Sequence, residues 1–218
     1  MAFRCNDCGN EFTLPSAVLQ KYPNWTPRQC MDCRSNGGSG SAQARKTSAT
    51  KPKSSVTRTQ DLSTSEVLAR FSEGPSTGIF TDGSSRPNPG PGGWGAVYVI
   101  DNHVREEKFG HEPWTTNNRM ELTAIIVGLE MAPAGQPVTV YSDSQLVVNT
   151  LTKWAKGWEA KGWKRREGDI ANLDLVQQAW ALVKAKPSVR IEWIRAHDGS
   201  RWNEYADALS TAHLRSEV

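Results

Sequence analysis

Four carboxylates stand in four separate motifs of this chain: Asp82 in TDGS, Glu121 in NNRMEL, Asp143 in SDSQ and Asp207 in NEYAD. Each lies at the end of an apolar strand-like run or on a helix that such a run would pack against. Only a fold that brings several strand ends and helices to one place can gather them. Gathered, four negative charges repel strongly unless a cation sits among them. Oxygen ligands without Cys or His suit Mg2+, with Mn2+ as the alternative. Two such ions about 4 Å apart are suited to cutting phosphodiesters by in-line attack of water. A single Asp of this kind is more often a helix cap or a surface carboxylate; the joint occurrence of four carries the reading.

The apolar pattern gives an element order. Ile79 and Phe80 open a strand, and 95–100 and 104–109 read as two more, with Asp101-Asn102 as a hairpin turn. Asn117 or Asn118 caps a helix whose stripe Leu122, Ile125, Ile126 and Leu129 has helical period, and Pro133 and Gly135 stop it. Residues 138–141 form a strand, 144–150 and 173–185 helices, 189–194 the fifth strand and 203–214 the last helix. The order βββαβαβα predicts an α/β fold with a mixed five-stranded sheet flanked by helices. It puts Asp82 just past the first strand and Asp143 just past the fourth, where sites in open α/β sheets gather. Upstream, Ser63 followed by Glu66 is a capping-box pattern for a short helix in 63–73 with stripe Val67, Leu68 and Phe71.

Residues 77–214 resemble ribonuclease HI in TDGS, NPGPGGWGA, TTNNRMELTA, YSDSQLVVN, the Trp- and Lys-rich stretch 153–164, and WIRAHDG with NEYAD. None of these segments alone is specific; together, in this order, they are. The resemblance implies an endonuclease that hydrolyses the RNA strand of RNA/DNA hybrids, leaving 5′-phosphate and 3′-hydroxyl ends. It implies two Mg2+ ions held by Asp82, Glu121, Asp143 and Asp207. Asp82 would bridge them, Asp143 and the attacking water would share the first, and Glu121 and Asp207 would complete the second. His197, in a short loop ahead of the last aspartate, would relay a proton or help release product, with Glu204 assisting. A lone loop histidine is otherwise a surface residue. Asn88, Asn117, Asn118 and Gln145 would read 2′-hydroxyls in the minor groove, and Thr116 would hold a DNA phosphate. Trp154 and Trp158, with Lys161 and Lys164, would line the DNA strand in a basic protrusion. A core-facing Trp stripe is the competing reading of 154, 158 and 163.

Around this region the chain of 218 residues divides into three pieces: 1–35, a linker 36–75 and the catalytic domain 76–218. Cys5 and Cys8 form one CxxC and Cys30 and Cys33 another, about twenty residues apart. Two matched pairs at that spacing read as a four-thiolate structural Zn2+ site of ribbon type. A segment this short needs the metal to fold. Phe3, Phe12, Tyr22 and Trp25 would be its small core or would stack on bases. The linker carries Arg45, Lys46, Lys51, Lys53 and Arg58 in a Gly/Ser/Thr-rich context, with little to bury. About 25 flexible residues reach roughly 25–30 Å.

The net charge is only +3, but 34–60 holds six cations and no acid, and 153–166 holds six against Glu159 alone. Two such segments on a near-neutral chain point to a polyanion partner. No apolar run reaches membrane-span length, and MAFRCNDCGN lacks a signal-peptide core, so the expectation is a cytoplasmic monomer without membrane contact. The alternatives are a nucleic-acid-binding adaptor that lost the chemistry and an enzyme of the same fold acting on another duplex. For the cysteine segment, docking to a protein partner is the alternative to nucleic-acid contact.

Overall fold

The computed structural model describes residues 2–6, 8–14, 26–28, 30, 62–165 and 168–215. Cys33, Tyr22, Trp25, Arg166 and most of the expected linker lie outside these residues. The chain falls into two units, Met1–Thr57 and Arg58–Val218.

In the first unit, β1 (Ala2–Arg4) and β2 (Glu11–Thr13) pair antiparallel, with Phe3 opposite Phe12 and their rings 5.9 Å apart. The turn between them is closed by Cys5 N–H donating to Asn10 O and Gly9 N–H donating to Cys5 O.

The second unit is built on a five-stranded sheet of order β5-β4-β3-β6-β7. Here β3 is Gly78–Ser85, β4 Gly90–Ile100, β5 His103–Thr115, β6 Val138–Ser142 and β7 Val189–Trp193. The first three form an antiparallel meander, and β6 and β7 add in parallel on the other side of β3. The predicted mixed sheet is present, with β3 to β5 longer than the apolar runs suggested. Strand pairing extends through the Gly-rich 90–95 because β3 supplies an uninterrupted partner from Gly78 to Ser85.

Alternation along the strands sends side chains to two cores. Ile79, Ala96 and Val140 join one face, with Leu122, Ile125 and Leu129 of α2 (Asn117–Met131) and Val176 and Ala179 of α5 (Leu173–Ala185). Phe80, Val97 and Val99 join the other, with Trp202, Tyr205, Ala206 and Leu209 of α6 (Arg201–Ser210). Val67 of α1 (Thr64–Arg70) completes this second core with no exposed surface, and the Ser63–Glu66 capping box is present in full. The boundary expected at residue 76 placed this helix in the linker; in the structure it is packed against α6.

Three local expectations are corrected. Thr116, not Asn117 or Asn118, caps α2, its hydroxyl accepting from Arg119 N–H at 3.4 Å. A threonine with extended backbone just outside the helix can do this, whereas both asparagines already sit inside the first turn. The expected helix 144–150 is α3 (Gln145–Asn149), which runs on through a π-helical turn, Thr150–Trp154, into α4 (Ala155–Ala160). The last helix ends at Ser210, followed by a 3-10 turn at Ala212–Leu214.

Candidate active site

Asp82 lies inside β3 rather than beyond it, on the central strand of the sheet. Asp143 follows the last residue of the adjacent β6. Glu121 is in the second turn of α2, and Asp207 is on α6. The helices can come this close because the sheet is cut back to glycine beneath them. A Cβ on Gly83 would stand 2.2 Å from both Glu121 N and the Met120 carbonyl carbon. A Cβ on Gly95 would stand 2.5 Å from Leu209 Cβ and 2.6 Å from Ala206 O.

The result is an open, polar cleft of about 430 Å3 lined by all four carboxylates, with Asn117, Arg86 and His197. Within it, ligand oxygens of Asp82, Glu121 and Asp143 all lie within 4.8 Å of one another. Asp207 groups instead with His197 and Glu204, also within 4.8 Å. The four carboxylates therefore share one cleft but divide into two neighbouring groups.

Burial raises every one of these carboxyls, and mutual repulsion adds to it at Asp82, Glu121 and Asp207. Asp82 is pushed well above the usual range by burial, then by Asp143 and Asp207, while a hydrogen bond from Ser210 opposes the shift. Glu121 is pushed well up by burial and then by Asp82, Asp143 and Asp207. Burial raises Asp143, against a hydrogen bond from Asn203 and the nearby His197. Burial takes Asp207 up to about 6, with His197 and Arg86 lowering it and Glu204 and Asp143 raising it. Glu121 Oε2, Asp207 Oδ2 and Glu204 Oε2 are buried without a hydrogen-bond partner. Orphaned carboxylate oxygens converging in a polar cleft are what a hard divalent cation would satisfy, so the donor set fits Mg2+ or Mn2+.

Two residues that serve this cleft, Ser210 and Asn203, had no role assigned from the sequence. Ser210 Oγ–H donates to Asp82 Oδ2 at 2.7 Å, and Asn203 Nδ2 donates to Asp143 Oδ2 at 3.4 Å. Ser210 is one helical turn beyond Asp207, a spacing that becomes legible only once Asp207 is known to face the sheet. Glu204 is almost fully buried, its Oε2 3.8 Å from Nδ1 of the half-exposed His197.

The other expected contacts divide in the same way. Asn117 lines the cleft; its Oδ1 accepts from Ser85 N–H at 2.6 Å, and its own N–H donates to Asn88 Oδ1 at 3.3 Å. Asn118 instead lines a separate, largely apolar groove of about 400 Å3 with Leu146, Trp154, Trp158 and Arg165. Gln145 is exposed at the start of α3. The two tryptophan rings are 5.9 Å apart, and Trp158 and Trp163 also pack against the first core. The core-facing reading thus holds for Trp158 and Trp163, while Trp154 is exposed. Lys161 and Lys164 are exposed. In the first unit, sulfurs of Cys5, Cys8 and Cys30 lie within 4.8 Å of one another.

A mixed sheet carrying a carboxylate cluster across its central strands is an α/β scaffold whose donors suit a divalent cation. The chain belongs to the RNase H family, whose model matches residues 75–215, and it is a ribonuclease H. Among its relatives is a ribonuclease H of Methylorubrum extorquens, 47% identical over 140 residues, 64% of this chain and 60% of that protein. Another, from Mycolicibacterium smegmatis, is 46% identical over 141 residues, 64% of this chain and 88% of the relative. Among solved structures, LC9-RNase H1, described as a type 1 RNase H with the type 2 active-site motif, is similar with TM-score 0.50 and 30% identity. That likeness covers 65% of this chain and 74% of the other. The cysteine segment and α1 precede the family match. Among the described residues no helix is long and apolar enough to cross a membrane.

Proposed function

We propose that this chain hydrolyses the RNA strand of RNA/DNA hybrids, leaving 5′-phosphate and 3′-hydroxyl ends, with Asp82, Glu121, Asp143 and Asp207 holding two Mg2+ ions. The observation that carries the reading is the convergence of three carboxylates within 4.8 Å in an open cleft, beside buried oxygens that lack partners. When bound, the ions polarise the scissile phosphate and offset the charge that develops on the leaving oxygen.

The chain's own groups would do the rest. Asn117 has its carbonyl oxygen engaged by Ser85, which leaves its amide nitrogen as a fixed donor for a 2′-hydroxyl entering the cleft. Asn88, Asn118 and Gln145 would extend that contact along the minor groove, and Thr116 would receive a DNA phosphate. Ser210 holds one oxygen of Asp82 in place, and buried Glu204 holds the exposed His197 at the cleft rim, where it can take up or deliver a proton. Trp154 and Trp158, with Lys161 and Lys164, would carry the DNA strand.

Cys5, Cys8, Cys30 and Cys33 would hold one structural Zn2+, and the gathered sulfurs of three of them support that assignment. The first unit would then add a tethered contact to nucleic acid, with docking to a protein as its alternative. A cytoplasmic monomer is the expected setting. The test is cleavage of matched RNA/DNA, RNA/RNA and DNA/DNA duplexes with Mg2+, with Mn2+ and with EDTA. Cutting of the RNA strand of the hybrid alone, abolished by EDTA, is expected. Metal-dependent cutting of another duplex in preference would overturn the proposal.

A further inference from the structure

The segment before the family match does more than complete a core. After α1, residues 71–74 turn back alongside 199–201. Glu73 and Ser200 form an isolated parallel bridge, Arg201 N–H donates to Glu73 O at 2.9 Å, and Arg201 Nε donates to Phe71 O at 2.5 Å. The approach is tight. Gly74 has φ +99°, and a Cβ there would stand 2.5 Å from Ser200 Oγ. Ser200 is the N-cap residue of α6, yet its hydroxyl makes no capping bond and is buried without a partner. One of the orphan N–H groups at the start of α6 is therefore satisfied by a carbonyl from outside the helix.

What is held in this way matters, because Ser200 closes the loop that carries His197. His197 has φ +50°, and the next turn of chain leads through Gly199, whose N–H donates to Glu204 Oε1 at 3.4 Å. On the entry side the loop is pinned by Ile194 N–H donating to Ser142 O. On the exit side the pin is the segment 71–74. Val67, packed with no exposure against Trp202, Tyr205 and Ala206, anchors that segment to the helix bearing Asp207.

We infer that residues 71–74 are a brace that positions the His197 loop and the start of α6, so that Arg201 and Gly74 are positioning residues for turnover. This rests on the reading of His197 as a proton carrier. The brace fixes where His197 stands by capping the helix that follows it; without it the exit side of the loop would keep only the ties of Gly199 and His197 to Glu204.

The test uses the full chain with Mg2+ and two substitutions, Gly74→Val, which forces the segments apart, and Arg201→Met, which removes only the side-chain bond to Phe71. Amide hydrogen exchange across 196–201 should rise by about tenfold or more while the α2 core is unchanged, since local opening is governed by local contacts. On RNA/DNA hybrid, kcat should fall about 3- to 30-fold with KM nearly constant, because misplacing a catalytic group costs rate rather than binding. In a His197→Ala background the same substitutions should lower kcat less than about twofold, the non-additivity of residues acting as one unit. Unchanged exchange in the loop for both variants, or equal losses of kcat in both backgrounds, would overturn the brace. His197→Ala turning over like the parent would instead remove the assigned role of His197, while the exchange data would still decide whether the loop is held.

Discussion

At the scale of single residues the cleft is a store of electrostatic cost. Asp207, raised to about 6 from an ordinary 3.8, binds a proton more tightly folded than unfolded. Between those two values the folded protein is protonated there and the unfolded chain is not, so this group's contribution makes stability fall as pH rises. In EDTA, Asp207→Asn is therefore expected to raise Tm at pH 7.5, by an amount of order 3 kcal/mol in stability, and to gain about half as much at pH 5. Calorimetry at the two pH values checks this, and a gain independent of pH would mean that Asp207 is not strained by its charge. Asp82→Asn should abolish cleavage under saturating Mg2+ while hybrid binding is kept, because it removes one metal-directed oxygen and one charge that repels phosphate. A variant retaining more than a few per cent of the rate would show that Asp82 is not at the reaction centre.

At the scale of elements, the contact between β3 and α2 decides the site. Gly83 lies against the Met120–Glu121 peptide with no room for a methyl group, and both partners there are backbone. Gly83→Ala is expected to cost about 3 kcal/mol through overpacking and to lower kcat further than its stability explains. Gly157, in α4 with nothing within 4 Å of its would-be Cβ, is the control; Gly157→Ala should stabilise by roughly 0.5–1 kcal/mol.

The basic stretch behaves differently. Its one acid, Glu159, is engaged by Lys184 and Trp180 of α5, so its cations are left without an acid of their own segment. Neutralising Lys161, Lys164 and Arg165 should flatten the dependence of log K on log salt, by up to about 0.9 per lost phosphate contact. An unaltered slope would turn this face away from nucleic acid.

At the scale of the whole molecule, the sheet-bearing unit takes in α1, so a chain begun at residue 62 and one begun at 76 should differ. The shorter one loses the buried Val67 and the brace, and should melt several degrees lower, as deleting a fully buried Val is worth about 1.5–3 kcal/mol. Equal melting temperatures would make α1 an ornament of the fold. The full chain should bind one zinc, released by chelation or by Cys8→Ser, with cleavage at saturating hybrid unaffected. Loss of that cleavage on zinc removal would tie the first unit to the chemistry.

Sequence alone determined the things that periodicity and residue type encode locally. The strand and helix order, the Ser63 capping box, the oxygen-only donors and the cysteine pairs are all readable within a dozen residues, because each is set by side-chain chemistry at fixed spacing. What only the tertiary structure decided was who meets whom. That Asp82 sits inside a strand follows from a partner strand, not from its neighbours in sequence. Ser210 reaches Asp82 across 128 positions, and Asn203 reaches Asp143 across 60, only because α6 rests on a glycine floor. The brace acts through backbone carbonyls of Phe71 and Glu73 that accept from Arg201, and carbonyls carry no signature in residue type, so no pattern in the sequence could have announced it.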